Sequence, residues 1–205
     1  MIIEDVLNLA KYSELSSVAV KGDTTAIMSF VNLGMVELYI RFALKRVEHV
    51  ITVVEGQTVY DMPADFMYAT SAFQKVLENS KLINQDVPLN EELSYSSIFF
   101  PSYNKVQIPE DIKVTEITVI YVPKPVRYTE SDLSVELDLP EVLIDCLLSY
   151  LGYKGHLGVR SDGQSENNFH ALRFERSIQK VKELGVCPTT DYYRTTNKIG
   201  IKGFV

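Results

Sequence analysis

The sequence predicts an α+β fold, consisting of a discontinuous helical bundle with an inserted β-rich region and an extended C-terminal arm. Three observations support this prediction. Apolar residues recur every three or four positions toward both ends of the chain, β-branched residues replace that pattern in the middle, and the C-terminal segment follows neither pattern. We therefore expect a bundle from residues 1–45 and 138–185, an insertion at 46–137 and an arm at 186–205. Two independent domains are the alternative.

Two helices are predicted before the β-rich region. The first covers about residues 2–12, and Asp23 is a candidate N-cap for the second, which continues to about Lys45. Glu37 precedes Arg41 by four residues, the spacing of a helical ion pair. The second helix has two apolar stripes, so we expect it to pack on two sides. The stripes are Met28, Val31, Met35, Leu38 and Phe42 on one side and Phe30, Leu33, Ile40 and Leu44 on the other.

The middle of the chain contains strand and turn signals. Val47–Val54 and Thr58–Tyr60 flank the turn residues at 55–57, which predicts a β-hairpin. Ala64–Phe66 is expected to form a single helical turn, and the pattern at 78–103 indicates no regular element. Further strands are predicted at Met67–Val76, Lys105–Ile108 and Lys113–Val122.

A helical hairpin is predicted between Leu139 and Leu184. Pro140 suits the first turn of a helix, a polar break is expected at 158–168, and Pro188 is expected to end the last helix. The first arm has the apolar stripe Ile144, Leu147, Leu148 and Leu151, and the second has Ala171, Phe174, Ile178, Val181 and Leu184. The predicted core of the bundle contains Leu38, Phe42, Leu147, Leu151 and Phe174.

Composition and charge exclude several classes of protein. The 205 residues carry a net charge of −7, which argues against general nucleic-acid binding. The sequence begins MIIEDVL, with acids where a secretory signal would be basic, and no apolar run has the length of a membrane span. The two cysteines fit no metal or disulfide pattern, and Cys146 is predicted to be a small core residue.

No catalytic constellation is found, so the sequence predicts no enzyme activity, cofactor or metal site. His49, His156 and His170 match no ligand spacing, and each is interpreted as a surface or structural residue. Gly152 to Gly155 match the GxxG of KH modules, but close helix packing or a helix end is the preferred interpretation.

Two stretches together resemble the head–tail connector proteins of tailed bacteriophages. LDLPEVLIDCLLSYLGYKG, at 137–155, resembles the helix that follows their β region. YDMPADF, at 60–66, resembles their Tyr-x-Leu-Pro-x-Asp-Phe segment, with Met62 in place of leucine. The order of helices, insertion, helices and tail is similar over essentially the whole chain. Such proteins of short-tailed and crAss-like phages are called adaptor, head-completion, ring or tail tubular proteins.

The resemblance implies a structural virion protein made in the bacterial host cytoplasm. Copies would form a ring below the portal protein, commonly a dodecamer, which extends the DNA channel and receives the downstream tail or ring proteins. DNA would pass through without sequence-specific binding, and no membrane is involved. The main alternative is a non-catalytic protein-binding module of a cellular organism that docks through its β insertion. A small hydrolase with an unrecognised site is a third.

The arm is the predicted partner-binding site, and the alternative is a frayed chain end. Ile199 and Ile201 alternate with polar or small residues, the period of a strand. The arm has a charge of +2, which leaves −9 for residues 1–185. By resemblance, its apolar residues would fill pockets on the portal, its tyrosines would anchor its root and its cations would face portal acids. The residues concerned are Tyr192, Tyr193, Arg194, Lys198, Ile199, Gly200, Ile201, Lys202 and Phe204.

Overall fold

The structure is a computed structural model that describes residues 1–78, 81–92, 94–110, 112, 114–157 and 164–189. The described chain forms two compact units. One comprises Met1–Leu44 and Pro125–Thr189, and the other contains Lys45–Lys124. The first is mainly helical and the second is built from antiparallel sheets, so the predicted α+β class is confirmed.

Among the described residues, four α-helices shape the first unit. They are α1 (Ile3–Tyr12), α2 (Thr24–Arg41), α3 (Ile144–His156) and α4 (Gln164–Leu184). Asp23 caps α2 as predicted, because its Oδ1 accepts the backbone N–H of Ala26 at 2.9 Å. Short 3-10 turns occur at Ala19–Gly22, Glu130–Asp132 and Glu141–Leu143, and the last of these links Pro140 to α3.

The beginning of α4 differs from the prediction, whereas its end agrees with it. The helix begins at Gln164, inside the expected polar break, because its first turns are polar and give no apolar signal. It ends at Leu184, before Pro188. Gly185 follows with φ +63°, a left-handed conformation that glycine adopts readily and that commonly terminates helices.

The five predicted core residues are all buried, and the helices pack on one another around them. Arg41 also links α2 to α4, since its guanidinium binds both carboxylate oxygens of Glu175 at 2.7 and 2.8 Å and contacts Glu37 as predicted.

The second apolar stripe of α2 is not fully buried. Leu33 and Ile40 are about half exposed, so the prediction that α2 packs on two sides is wrong at these positions.

Glycines allow the close helix contacts. A Cβ at Gly155 would lie 2.3 Å from Leu15 Cδ2, and one at Gly34 would lie 2.5 Å from Leu147 Cδ1. At Gly152 it would lie 3.1 Å from the His170 ring. The packing interpretation of the GxxG pattern is therefore confirmed.

The segment between the last strand and α3 is fastened to the helices. Asn32 on α2 donates through Nδ2 to the carbonyl of Tyr128 and accepts the N–H of the same residue, each at 2.8 Å. The N–H of Ile3 donates to the carbonyl of Val135 at 3.0 Å. These bonds satisfy backbone groups that would otherwise lose their hydrogen bonds to water.

In the described part of the second unit, seven strands form two antiparallel sheets. They are β1 (Val47–Thr52), β2 (Val59–Asp61), β3 (Phe66–Glu78), β4 (Lys81–Val87), β5 (Phe99–Ser102), β6 (Lys105–Gln107) and β7 (Glu116–Pro123). The first sheet has the order β1-β7-β3-β4 and the second has the order β2-β6-β5. A common apolar core includes Ile51, Phe66, Ile98, Val106, Ile117 and Val119.

The predicted β1–β2 hairpin is wrong. The turn is present, with Gly56 at φ +78°, but β1 pairs with β7 and β2 pairs with β6. The turn therefore passes the chain from one sheet to the other, and the hydroxyl of Tyr60 donates to the carbonyl of Gln57 at 2.8 Å beside it. At 64–66, where a single helical turn is expected, the chain makes one turn, in which the N–H of Phe66 donates to the carbonyl of Pro63, and β3 begins at Phe66.

The sequence also gave no indication of β4 and β5. Both lie within 78–103, where the pattern is poor. Residues 82–86 of β4 are all exposed, so no alternation between buried and exposed side chains marks this edge strand.

Candidate functional site

The predicted binding residues of the arm, from Tyr192 to Phe204, lie outside the described residues. Their role therefore stays a prediction.

A polar cluster is found in the helical unit where the chain after α1 meets α3 and α4. Glu14 contributes a carboxylate whose side chain is only 8% exposed. Nη1 of Arg173, on α4, contacts its two oxygens at 2.8 and 2.9 Å. Gly152 on α3 lies close enough that a Cβ there would be 3.2 Å from Oε2 of Glu14. A nearly buried carboxylate thus has a cationic partner that reaches it from the surface.

Two histidines that are distant in sequence stack within this cluster. The rings of His156 and His170 have centroids 4.1 Å apart and planes 17° apart. Nε2 of His156 lies 3.1 Å from the carbonyl oxygen of Glu14, which can only accept, so this nitrogen carries a proton. His156 is buried, and its bond secures the chain after α1. This contact is consistent with a structural residue, one of the two roles predicted for this histidine.

The cluster borders an open cavity of about 670 Å³, which is lined by Ser13, Glu14, Ser17, His156, Phe169, His170 and Arg173. Its chemistry does not resemble a nucleophile with an adjacent base. The Glu14 carboxylate is paired with a guanidinium, and the Nε2 proton of His156 is directed to a backbone oxygen. The arrangement is suited to joining three chain segments.

Other candidate chemistry is equally sparse in the part of the chain that the structure describes. No group of three or more His, Cys, Asp or Glu residues there could hold a metal ion. Cys146 and Cys187 are free and buried, and burial raises the pKa of each thiol, which disfavours the nucleophilic thiolate. Nor does any described helix combine the length and apolar character needed to cross a bilayer.

Replacing Arg173 by methionine is expected to lower the free energy of unfolding by about 1–3 kcal/mol, because it leaves the buried Glu14 carboxylate without its cation. Combining it with Glu14→Gln should lower the free energy of unfolding by less than the sum of the two single changes, since the glutamine amide has no charge that would be left unpaired. Urea unfolding of the two single variants and the double variant measures this coupling. Strictly additive losses would show that the ion pair contributes nothing.

Sequence reasoning missed this cluster, although local spacings indicated parts of it. Gly152 and His156 are four residues apart on α3, and His170 and Arg173 are three apart on α4, so each pair shares a helix face. Nothing in the sequence showed that the two faces meet. No pattern marked Glu14 as a candidate, because it lies in a connecting segment that has neither helical nor strand periodicity.

A second feature is a two-stranded ribbon in the β unit, which we define as residues 75–78 and 81–84. Here the β3–β4 pairing continues past Gln74–Ile117, the last pair that joins β3 to β7. Leu77 and Leu82 face each other across the ribbon and are 73% and 72% exposed. Exposed apolar residues that cluster in this way are typical of interaction surfaces.

Comparison with known proteins identifies the family of this chain. The profile of one family, SU10 adaptor protein, matches residues 2–197, which include all the described helices and strands. No curated protein matches the chain. Structural adaptors are not normally catalytic. Since the match extends over nearly the whole chain, this protein belongs to the SU10 adaptor protein family and is a phage structural protein of the virion.

Proposed function

We propose that copies of this chain form a ring below the portal, which joins the phage head to the tail and lengthens the DNA channel. The family match over residues 2–197 is the observation that carries this proposal. In this scheme the helical segments 1–45 and 138–185 form the body of each subunit and 46–137 forms an insertion. The ring, commonly a dodecamer in connectors of this kind, receives the downstream tail or ring proteins. The protein would be made in the host cytoplasm before it enters the virion.

The arm at 186–205 is the proposed portal anchor. Its alternating pattern around Ile199 and Ile201 suits an extended segment that adds main-chain hydrogen bonds to a sheet edge of the partner. Phe204 would fill a further apolar pocket, and Gly200 would permit close backbone approach. Tyr192 and Tyr193 would hold the root of the arm, while Arg194, Lys198 and Lys202 would face acidic residues of the portal.

Charge supports a channel through which DNA slides. Residues 1–185 have a net charge of −9, so a ring of such subunits would carry more acidic than basic residues. Tight nonspecific binding to DNA depends on clustered Lys and Arg, which release counterions from the duplex. A wall of net negative charge would not hold the DNA in place.

Deleting residues 190–205 tests the anchor. We expect the body to remain folded, with a nearly unchanged melting temperature, because the deletion removes none of the buried residues of the described core. Binding to the cognate portal should be lost. Thermal unfolding measures the first result, and co-sedimentation of the purified chain with assembled portal measures the second.

A pair of matched variants separates the arm's sequence from its mere presence. Ile199→Ser, Ile201→Ser and Phe204→Ser together should abolish co-sedimentation. Thr195→Ala, Thr196→Ala and Asn197→Ala together, in the same arm but outside the proposed contacts, should preserve it. If the truncated chain still sediments with the portal, the arm is not the anchor. If the full chain does not bind any portal assembly, the ring function itself is wrong.

A further inference from the structure

An apolar strip on α2 is open to solvent. Leu33 and Ile40 are seven residues apart and therefore lie two turns apart on one face of the helix, and each is about half exposed. The half-buried Val36 lies between them. We define these three residues as the α2 strip. Burying its two large exposed side chains against a further segment would be favourable.

Other parts of the helical unit border the α2 strip on both sides. On one side, Asn32 exchanges hydrogen bonds with the backbone of Tyr128. On the other side, Arg41 binds Glu175 on α4. At 3.6 residues per turn, Asn32 and Arg41 lie on opposite flanks of the strip. The strip is therefore an apolar floor between two borders, an arrangement that favours a narrow segment over a broad partner surface.

The last described residues bring the C-terminal part of the chain to this floor. Thr189 pairs antiparallel with Phe42, which directly follows α2. The N–H of Ala43 donates to the carbonyl of Pro188 at 3.0 Å. The chain after α2 leads away from the helix, and the two chains of an antiparallel pair run in opposite directions. The C-terminal segment consequently runs toward the end of α2, and residue 190 begins beside the last turn of the helix.

Distances along the chain place one residue of the arm over the strip. An α-helix rises about 1.5 Å per residue, so Ile40 and Leu33 lie about 3 and 14 Å from Phe42 along the axis. An extended chain advances about 3.3 Å per residue, so Tyr192, the third residue after Thr189, reaches about 10 Å. This position lies between the two exposed side chains of the strip.

Alternation in the arm selects Tyr192 over its neighbours. Successive side chains of an extended segment point to opposite sides, so Asp191 and Tyr193 share one side and Tyr192 lies on the other. A carboxylate held on an aliphatic floor would lose its hydration without gaining a partner. The side that faces the strip is therefore the one with Tyr192.

We propose that the arm leaves the body along α2, with the aromatic ring of Tyr192 packed on the α2 strip of the same chain. The aromatic ring covers Leu33 and Ile40, and its hydroxyl group stays in contact with water at the edge of the floor. This contact fixes the direction in which the rest of the arm extends. Because a single side chain forms it, the contact opens readily and changes the stability of the body little.

Tryptophan fluorescence of the full-length chain tests the register. The sequence contains no tryptophan, so a single introduced indole reports only on its own surroundings. Tyr192→Trp should place the indole on the α2 strip, and Tyr193→Trp is the matched control that should leave it in water. We expect the first variant to emit at shorter wavelength and to be quenched less by acrylamide. Equal emission and quenching in both variants, or greater protection at position 193, would overturn the proposal.

Serine variants identify the surface that the indole contacts. Leu33→Ser with Ile40→Ser, added to Tyr192→Trp, should move the emission to longer wavelength, because the strip loses its large apolar side chains. Val50→Ser with Val54→Ser is the control, since these valines are also about half exposed but lie in the β unit, and it should leave the emission unchanged. An emission that does not respond to the strip variant, or that responds equally to the control, would show that the strip is not the partner.

Dilution distinguishes the strip of the same chain from that of a neighbouring copy. A contact within one chain should give the same emission at every protein concentration, and a blue shift that disappears on dilution would reject the proposal. The measurement uses the free chain and is independent of the function proposed above. Its failure would leave portal binding by the arm intact, and a failure to bind the portal would leave this contact in place.

Discussion

Replacing Phe42 by alanine is expected to lower the free energy of unfolding by about 3–5 kcal/mol, the largest single loss that we predict. Phe42 is fully buried at the end of α2. Its N–H donates to the carbonyl of Leu38 at 2.8 Å, and the neighbouring Ala43 donates to the carbonyl of Pro188 at 3.0 Å. The ring therefore lies where the chain leaves the helix beside residue 188, and its removal would leave a cavity in the core.

Urea denaturation followed by far-ultraviolet circular dichroism measures this loss. Leu33→Ala on the same helix is the control, because Leu33 is 51% exposed, and it should cost less than about 0.5 kcal/mol. A similar loss for both variants would mean that the face of α2 with Leu33 is buried in solution. That result would restore the prediction that α2 packs on two sides.

The helices could be predicted because their signals are local. Apolar spacing located α1 to α3 within a few residues, and the Asp23 cap is a feature of adjacent residues. The spacing failed at the beginning of α4, where the first turns are polar. It also failed on the Leu33 side of α2, because an apolar stripe shows only that burial is favourable. Whether a partner covers the stripe depends on the tertiary structure.

Strand pairing was predicted less well because it is not local. The turn at Gly56 resembles that of a hairpin, but β1 finds its partner β7 more than sixty residues further along the chain. Strands β4 and β5 lacked alternation, since one is an exposed edge and the other is short. The polar cluster around Glu14 was missed for a similar reason: its members come from three segments whose contacts no local spacing encodes.

The contact between Gly34 and Leu147 gives the second large prediction, a paired change of size across the α2–α3 interface. Leu147 is fully buried, so Leu147→Ala should cost about 2–5 kcal/mol. A methyl group at Gly34 would lie 2.5 Å from Leu147 Cδ1. Gly34→Ala therefore forces the helices or the leucine to move, at about 1–3 kcal/mol, although alanine favours the helix by about 1 kcal/mol.

The double variant should be more stable than the sum of the single losses implies, because the new methyl group enters the space that the leucine vacates. We expect a coupling of about 0.5–3 kcal/mol, as is usual for residues in contact. Gly22→Ala is the matched control, since a Cβ there has no atom within 4 Å, and it should combine additively with Leu147→Ala. Urea denaturation of the five variants measures both combinations. If Gly34→Ala also combines additively with Leu147→Ala, the two helices do not approach each other at Gly34, and the glycine is not what allows α2 and α3 to pack closely.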